Sequence, residues 1–123
     1  MKRKIEPLGI RNESTQQALA YTRRFTNRFG QPVEIVHIAD YKRGEYLTQF
    51  RMLSGMEFQT TGFSSGYCGE GCHGLKDALK LCGMTVDIDT IAGLKEGTFA
   101  HVAFYPSTGK VVKGWFHDKK GKG

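Results

Sequence analysis

A chain of 123 residues, 39% of them hydrophobic and 24% charged, has the composition of one globular domain. It is too short for two independent cores and too apolar for intrinsic disorder. The formal net charge of +6 points to anionic partners. However, Lys2, Arg3, Lys4, Lys119, Lys120 and Lys122 account for all of it, so a near-neutral body is expected between basic tails at 1–4 and 117–123 of a single domain spanning 1–123, and nucleic acid is disfavoured as a partner.

No apolar run approaches the ~18 residues of a membrane span. The basic start Met1-Lys2-Arg3-Lys4 is followed by no apolar stretch, so no secretory signal is read and a cytoplasmic location is expected. Three cysteines, an odd number, fit a reducing compartment better than a disulfide framework.

Residues 14–29 read as a helix. Ser14 and Gln17 have capping-box spacing, and Ala18, Tyr21, Phe25 and Phe29 fall on one face, with Gly30 and Pro32 ending it. The β-branched run Val33–Ile38 predicts a buried strand. After the charged turn at 40–44, Tyr46–Leu53 and Met56–Thr61 predict a hairpin across the two-residue turn Ser54-Gly55. Leu75, Ala78, Leu79 and Cys82 line one face of a short helix closed by Gly83, and Met84–Ile88 reads as a short strand. Thr98–Tyr105 and Lys110–Phe116 form a second hairpin across Pro106-Ser107-Thr108-Gly109. The order helix, three strands, helix, three strands gives an α+β domain: a mainly antiparallel sheet with two helices packed on it.

The chemistry is expected in Gly62–Gly74. Gly69-Glu70-Gly71-Cys72-His73-Gly74 matches G-x-G-x-x-G ahead of a helix, where glycines permit close backbone approach and free N–H groups with the helix dipole attract phosphate. Asp87 and Asp89 lie at the spacing of a ribose-binding carboxylate. A dinucleotide-binding domain is disfavoured, because too little chain follows the motif and Glu70 places a negative charge within it. A tight strand-to-helix turn that binds nothing is the plainer alternative. Gly66 and the aromatics Phe63 and Tyr67 extend the candidate site, either aromatic serving to stack on a base or to anchor the loop.

On the first helix Arg24 and Arg28 stand at i, i+4, opposite the Phe25 and Phe29 face with Arg23, and suit bidentate phosphate recognition. Arg43, Arg51, Lys110 and Lys113 are further cations without positional evidence. Cys68, Cys72, His73 and Cys82 spell C-x3-C-H-x8-C, but the spacing fits no common zinc module and Cys82 sits on a core face, so neither metal nor cofactor is expected. His37 and His101 fall within strands and read as structural. A Cys68 or Cys72 thiolate beside His73 or His101 would lack an orienting third group, and no enzyme activity is expected.

At Gly62–Leu79 the pattern G-F-x-x-G-Y-x-G-x-G before an apolar helix resembles small phage- and plasmid-borne domains, which commonly carry Gly and Pro where this chain has Cys68 and Cys72. The chain's length, its α+β pattern, the early helix with Arg24 and Arg28, and its lack of catalytic groups also resemble the first type of Thoeris anti-defence proteins. These are oligomeric phage sponges that sequester cyclic ADP-ribose signals, some with a second site for cyclic oligonucleotides. The resemblance implies a viral homo-oligomer in the host cytosol, its arginines on pyrophosphate and an aromatic on adenine. The expected ligand-binding residues are Arg24, Arg28, Phe63, Gly66, Tyr67, Gly69, Gly71, His73 and Gly74. The alternative is a basic interaction protein that inhibits a nucleic-acid-dependent defence machine. A nucleic-acid-binding module built on the aromatics and arginines of Tyr41–Arg51 ranks below both.

Overall fold

The computed structural model describes residues 14–67 and 69–116, and the basic tails and Cys68 lie outside the described residues. Ser14 and Gln17 close the expected capping box: the Gln17 N–H donates to Ser14 Oγ at 3.1 Å and the Ser14 N–H to Gln17 Oε1 at 2.9 Å. Helix α1 then runs Thr15–Phe29. Ala18 is fully buried, and Tyr21 and Phe25 pack on Phe58. The expected face fades at Phe29, which is 45% exposed. Thr22 is buried instead, its hydroxyl donating to the Ala18 carbonyl one turn back at 2.8 Å.

Strands β1 (Glu34–Asp40), β2 (Glu45–Arg51) and β3 (Glu57–Thr60) form an antiparallel meander. The link between β2 and β3 is a three-residue loop, not the expected two-residue turn. The Met52 N–H donates to the Met56 carbonyl, and Gly55 takes φ +98°, the geometry of a turn followed by a glycine bulge. Helix α2 (Glu70–Leu81) and the single-turn α3 (Ile88–Ala92) follow, and β4 (Phe99–Tyr105) and β5 (Lys110–Phe116) complete the expected second hairpin. The strand order is β3-β2-β1-β4-β5, antiparallel throughout. The chain is thus an α+β domain whose described residues hold five strands and three helices.

The expected strand at Met84–Ile88 is absent. Buried Met84 and Val86 alternate with exposed Thr85 and Asp87 as in a strand, but the segment joins no ladder and Ile88 opens α3. All three helices pack on one face of the sheet, where the ladder aligns the row Phe104, Ile35, Phe50, Phe58 beneath them. The next row is Val102, His37, Thr48, Thr60, fully buried, in which the last three form a polar stripe within the apolar face. No helix among the described residues is long and apolar enough to cross a membrane.

Candidate functional site

The glycine-rich segment crosses the polar stripe and enters α2 earlier than its sequence suggests. Residues 70–74 are the first turn and more of the helix, so Gly69 is the N-cap while Gly71 and Gly74 are helical. Their glycines answer to packing. A Cβ on Gly71 would stand 2.3 Å from Ser64 Oγ, one on Gly74 2.3 Å from Thr15 Cγ2, and one on Gly62 2.5 Å from Ala18 Cβ. A Cβ on Gly69 would meet the Tyr67 ring at 2.6 Å, and Gly66 holds φ +86° against the Tyr41 ring.

Some backbone groups of the turn are engaged within it. The Cys72 and His73 N–H groups both donate to the Gly69 carbonyl, and the Ser64 N–H donates to that of Gly71. Phe63 is 1% exposed in the core and anchors the segment; it cannot also stack on a base, which corrects that part of the expected site. Tyr67 is 53% exposed, and its hydroxyl accepts from Ser64 Oγ at 3.2 Å. His73 is exposed on α2.

The two arginines do not converge on this turn within one chain. Thr15 lies against Gly74, and Gln31, just past the other end of α1, reaches Gly83, so α1 and α2 lie side by side with their N-termini together. At 1.5 Å per residue, Arg24 and Arg28 stand roughly 14 and 20 Å along α1 from Thr15. They frame a groove of about 490 Å³ lined by Tyr21, Arg24, Phe25, Asn27, Arg28 and Phe29, so they share a surface with Phe25 and Phe29 and do not lie opposite them as the spacing suggests. The Arg24 guanidinium lies 5.8 Å from the Tyr21 ring and that of Arg28 lies 5.5 Å from Phe29. Phe25 stacks on Phe58 at 4.8 Å, which fixes the groove floor to the core.

Most of the remaining candidates have structural tasks. Cys72 and Cys82 are buried, and burial pushes the Cys82 thiol up to about 12. No cluster of three or more His, Cys, Asp or Glu side chains converges among the described residues. Asp87 holds the N-cap position of α3 with no side-chain capping bond, and Asp89 lies in its first turn, where the helix dipole favours a carboxylate. Arg51 pairs with Glu34 at 2.8 Å, Arg43 stands 3.9 Å from Asp40, and the Lys113 ammonium lies over the Trp115 ring. His101 is exposed on β4, and Lys110 is exposed at the start of β5.

A polar cluster that the sequence did not reveal lies under the crossing segment. His37 Nδ1 is 2.9 Å from Thr48 Oγ1, His37 Nε2 is 3.0 Å from Ser65 Oγ, and Ser65 Oγ is 2.7 Å from the Tyr41 hydroxyl. His37, Thr48 and Ser65 are fully buried, and burial lowers His37 to about 4, so its ring is neutral at physiological pH. The order Ser65, His37, Thr48 has the outline of a nucleophile, a base and an orienting group. A ring so reluctant to take a proton is a poor base, though, and Ser65 is closed to solvent. Adjacent Tyr46 stacks parallel to His37 at 6.1 Å and meets Tyr41 edge-on at 6.1 Å.

Compared with known protein families, curated proteins and solved structures, the chain matches none.

Proposed function

We propose that this protein binds a phosphorylated nucleotide without turning it over, through the arginine groove of α1. The observation that carries the reading is the pairing of two exposed guanidiniums, one helical turn apart, with a 45% exposed phenyl ring in one open groove. Arginine forks suit pyrophosphate oxygens, and a partly exposed Phe29 offers a face to a base. The resemblance to cyclic ADP-ribose sponges supports the same ligand class and a counter-defence role as a viral homo-oligomer in the host cytosol. The glycine-rich turn shapes the α1–α2 contact and leaves recognition to the arginines of this chain, or to those of a second copy.

Calorimetry with cyclic ADP-ribose isomers and cyclic dinucleotides tests the reading. Saturable binding that weakens at least tenfold in Arg24→Ala and in Arg28→Ala is expected, the loss of a charge-assisted hydrogen bond to phosphate. Absence of binding to the native chain, or binding indifferent to both substitutions, overturns it.

A further inference from the structure

Thr48, His37, Ser65 and Tyr41 form one unbroken run of hydrogen bonds drawn from three separate stretches of chain. A neutral imidazole owns one N–H and one lone pair, and each hydroxyl owns one proton. Two arrangements point every bond in one direction along the run. In one, Thr48 donates to Nδ1, the Nε2–H donates to Ser65, and Ser65 donates to Tyr41, whose own proton is then free to point away from the run. In the other every bond reverses, Tyr41 donates inward to Ser65, and only its lone pairs remain. A third keeps the Nε2–H tautomer with Ser65 accepting from both His37 and Tyr41, so it is the Nδ1–H tautomer that fixes Tyr41, as a donor to Ser65.

Tyr41 is half-buried and meets the Tyr46 ring edge-on. Its hydroxyl bonds Ser65 while that of Tyr67 bonds the adjacent Ser64, and burial, then the phenols of Tyr67 and Tyr41, raise Tyr46. Tyr41 is raised by burial as well, opposed by the Ser65 hydrogen bond and assisted by the nearby Cys72. The Ser64 hydroxyl bonds Tyr67 from below at 3.2 Å, and the Lys95 ammonium rests 5.8 Å from the Tyr41 ring centre.

The result is an array of alcohols that both donate and accept, set among aromatic faces. A phosphate or carboxylate would ask for a cation or several N–H donors among the hydroxyls, whereas the Lys95 ammonium lies over the Tyr41 ring. A neutral sugar ring asks for amphoteric hydroxyls to meet its vicinal diol and for a ring face to cover its C–H groups. We propose that Tyr41, Tyr46 and Tyr67 form a binding site for a neutral sugar ring through its vicinal hydroxyls, with His37 as a positioning residue that orients the Tyr41 hydroxyl from the interior. The site uses none of the residues of the arginine groove and stands or falls separately from it.

The test is a titration of the isotope-labelled full chain with methyl β-D-ribofuranoside, followed by the tyrosine ring signals and by the two ring nitrogens of His37, whose shifts report the tautomer. The sugar is expected to move both sets with one dissociation constant. Tyr41→Phe, which keeps the ring and loses the hydroxyl, is expected to weaken binding about tenfold, and Tyr67→Phe several-fold, with backbone spectra that remain native. Arg24→Ala leaves the sugar response unchanged. Any of four results overturns the proposal: no saturable response, a response undiminished in Tyr41→Phe, tyrosine shifts without a change at His37, or a response to inorganic phosphate and not to the sugar.

Discussion

His37 Nε2 lies 3.0 Å from Ser65 Oγ, a bond that joins the central strand to the segment crossing above it, 28 residues later. Burial keeps that ring neutral by lowering His37 from 6.5 to about 4. The folded chain thus refuses a proton that the unfolded chain accepts below about 6.5. Stability from this group is complete above pH 6.5 and is lost as pH falls from there toward 4, by roughly 3 kcal/mol in all. Urea midpoints measured across that window are expected to fall on acidification, and His37→Gln is expected to remove most of the slope. A midpoint that stays level down to pH 4 would contradict the burial of a neutral ring.

Gly74 is expected to resist substitution for a steric reason that its helical position conceals. Alanine would gain up to about 1 kcal/mol of helix propensity. Its Cβ would nevertheless stand 2.3 Å from Thr15 Cγ2 and 3.1 Å from the Phe63 ring, and overpacking of that kind costs about 1–3 kcal/mol. Gly74→Ala is therefore expected to lower the unfolding midpoint. Thr15→Ser removes the offending methyl and keeps the hydroxyl that donates to the Gly62 carbonyl, so the double variant should recover part of the loss. A double-mutant cycle with no coupling would show that α1 and α2 do not meet at this point.

Gly71 belongs to the same argument. Its Cβ would collide with Ser64 at 2.3 Å, so Gly71→Val reports on folding and cannot serve as a test of ligand binding.

Local signals carried much of this fold. The capping box of Ser14 and Gln17, the β-branched run of β1 and the Pro106–Gly109 turn all act within a few residues, and each appears where its pattern places it. The start of α2 was hidden because Glu70-Gly71-Cys72-His73-Gly74 has poor helix propensity. Packing against Ser64, Thr15 and Phe63 overrides it, and a glycine chosen for close approach looks the same in sequence as one chosen for a turn. The polar run was hidden for another reason: His37, Thr48 and Ser65 meet only through strand register and chain crossing, and no spacing encodes that. The arginine pair was legible because i, i+4 spacing is local. Its separation from the glycine-rich turn was not, since it depends on how α1 lies against α2.

Gly109 offers a contrast to Gly74. It takes φ +74° in the β4–β5 turn, where its N–H donates to the Tyr105 carbonyl at 2.8 Å, and nothing lies within 4 Å of a Cβ built there. The cost of Gly109→Ala is then purely conformational, about 1–2 kcal/mol. Asparagine tolerates the left-handed region better, so Gly109→Asn is expected to retain a higher midpoint than Gly109→Ala in the same thermal scan. Equal losses would point to a clash that the open surroundings do not contain.

The arginine groove separates binding from stability. Arg24 and Arg28 are exposed and touch aromatic rings of their own helix, so removing either is expected to change stability by no more than about 0.5 kcal/mol. Arg28 also lies in the last turn of α1, where the helix dipole favours a cation, which places its loss toward the upper end of that range. Affinity for a cyclic nucleotide should respond quite differently. Arg24→Lys keeps the charge but lacks the planar fork, and it is expected to recover little of the binding that Arg24→Ala loses. Arg43, exposed on the β1–β2 turn beside Asp40, supplies the control: Arg43→Ala removes the same charge from the surface and should leave affinity unchanged. If the lysine variant binds like the native chain, or if Arg43→Ala weakens binding equally, net charge draws the ligand and the groove does not recognise it. Calorimetry of the four variants, paired with their urea midpoints, distinguishes these outcomes.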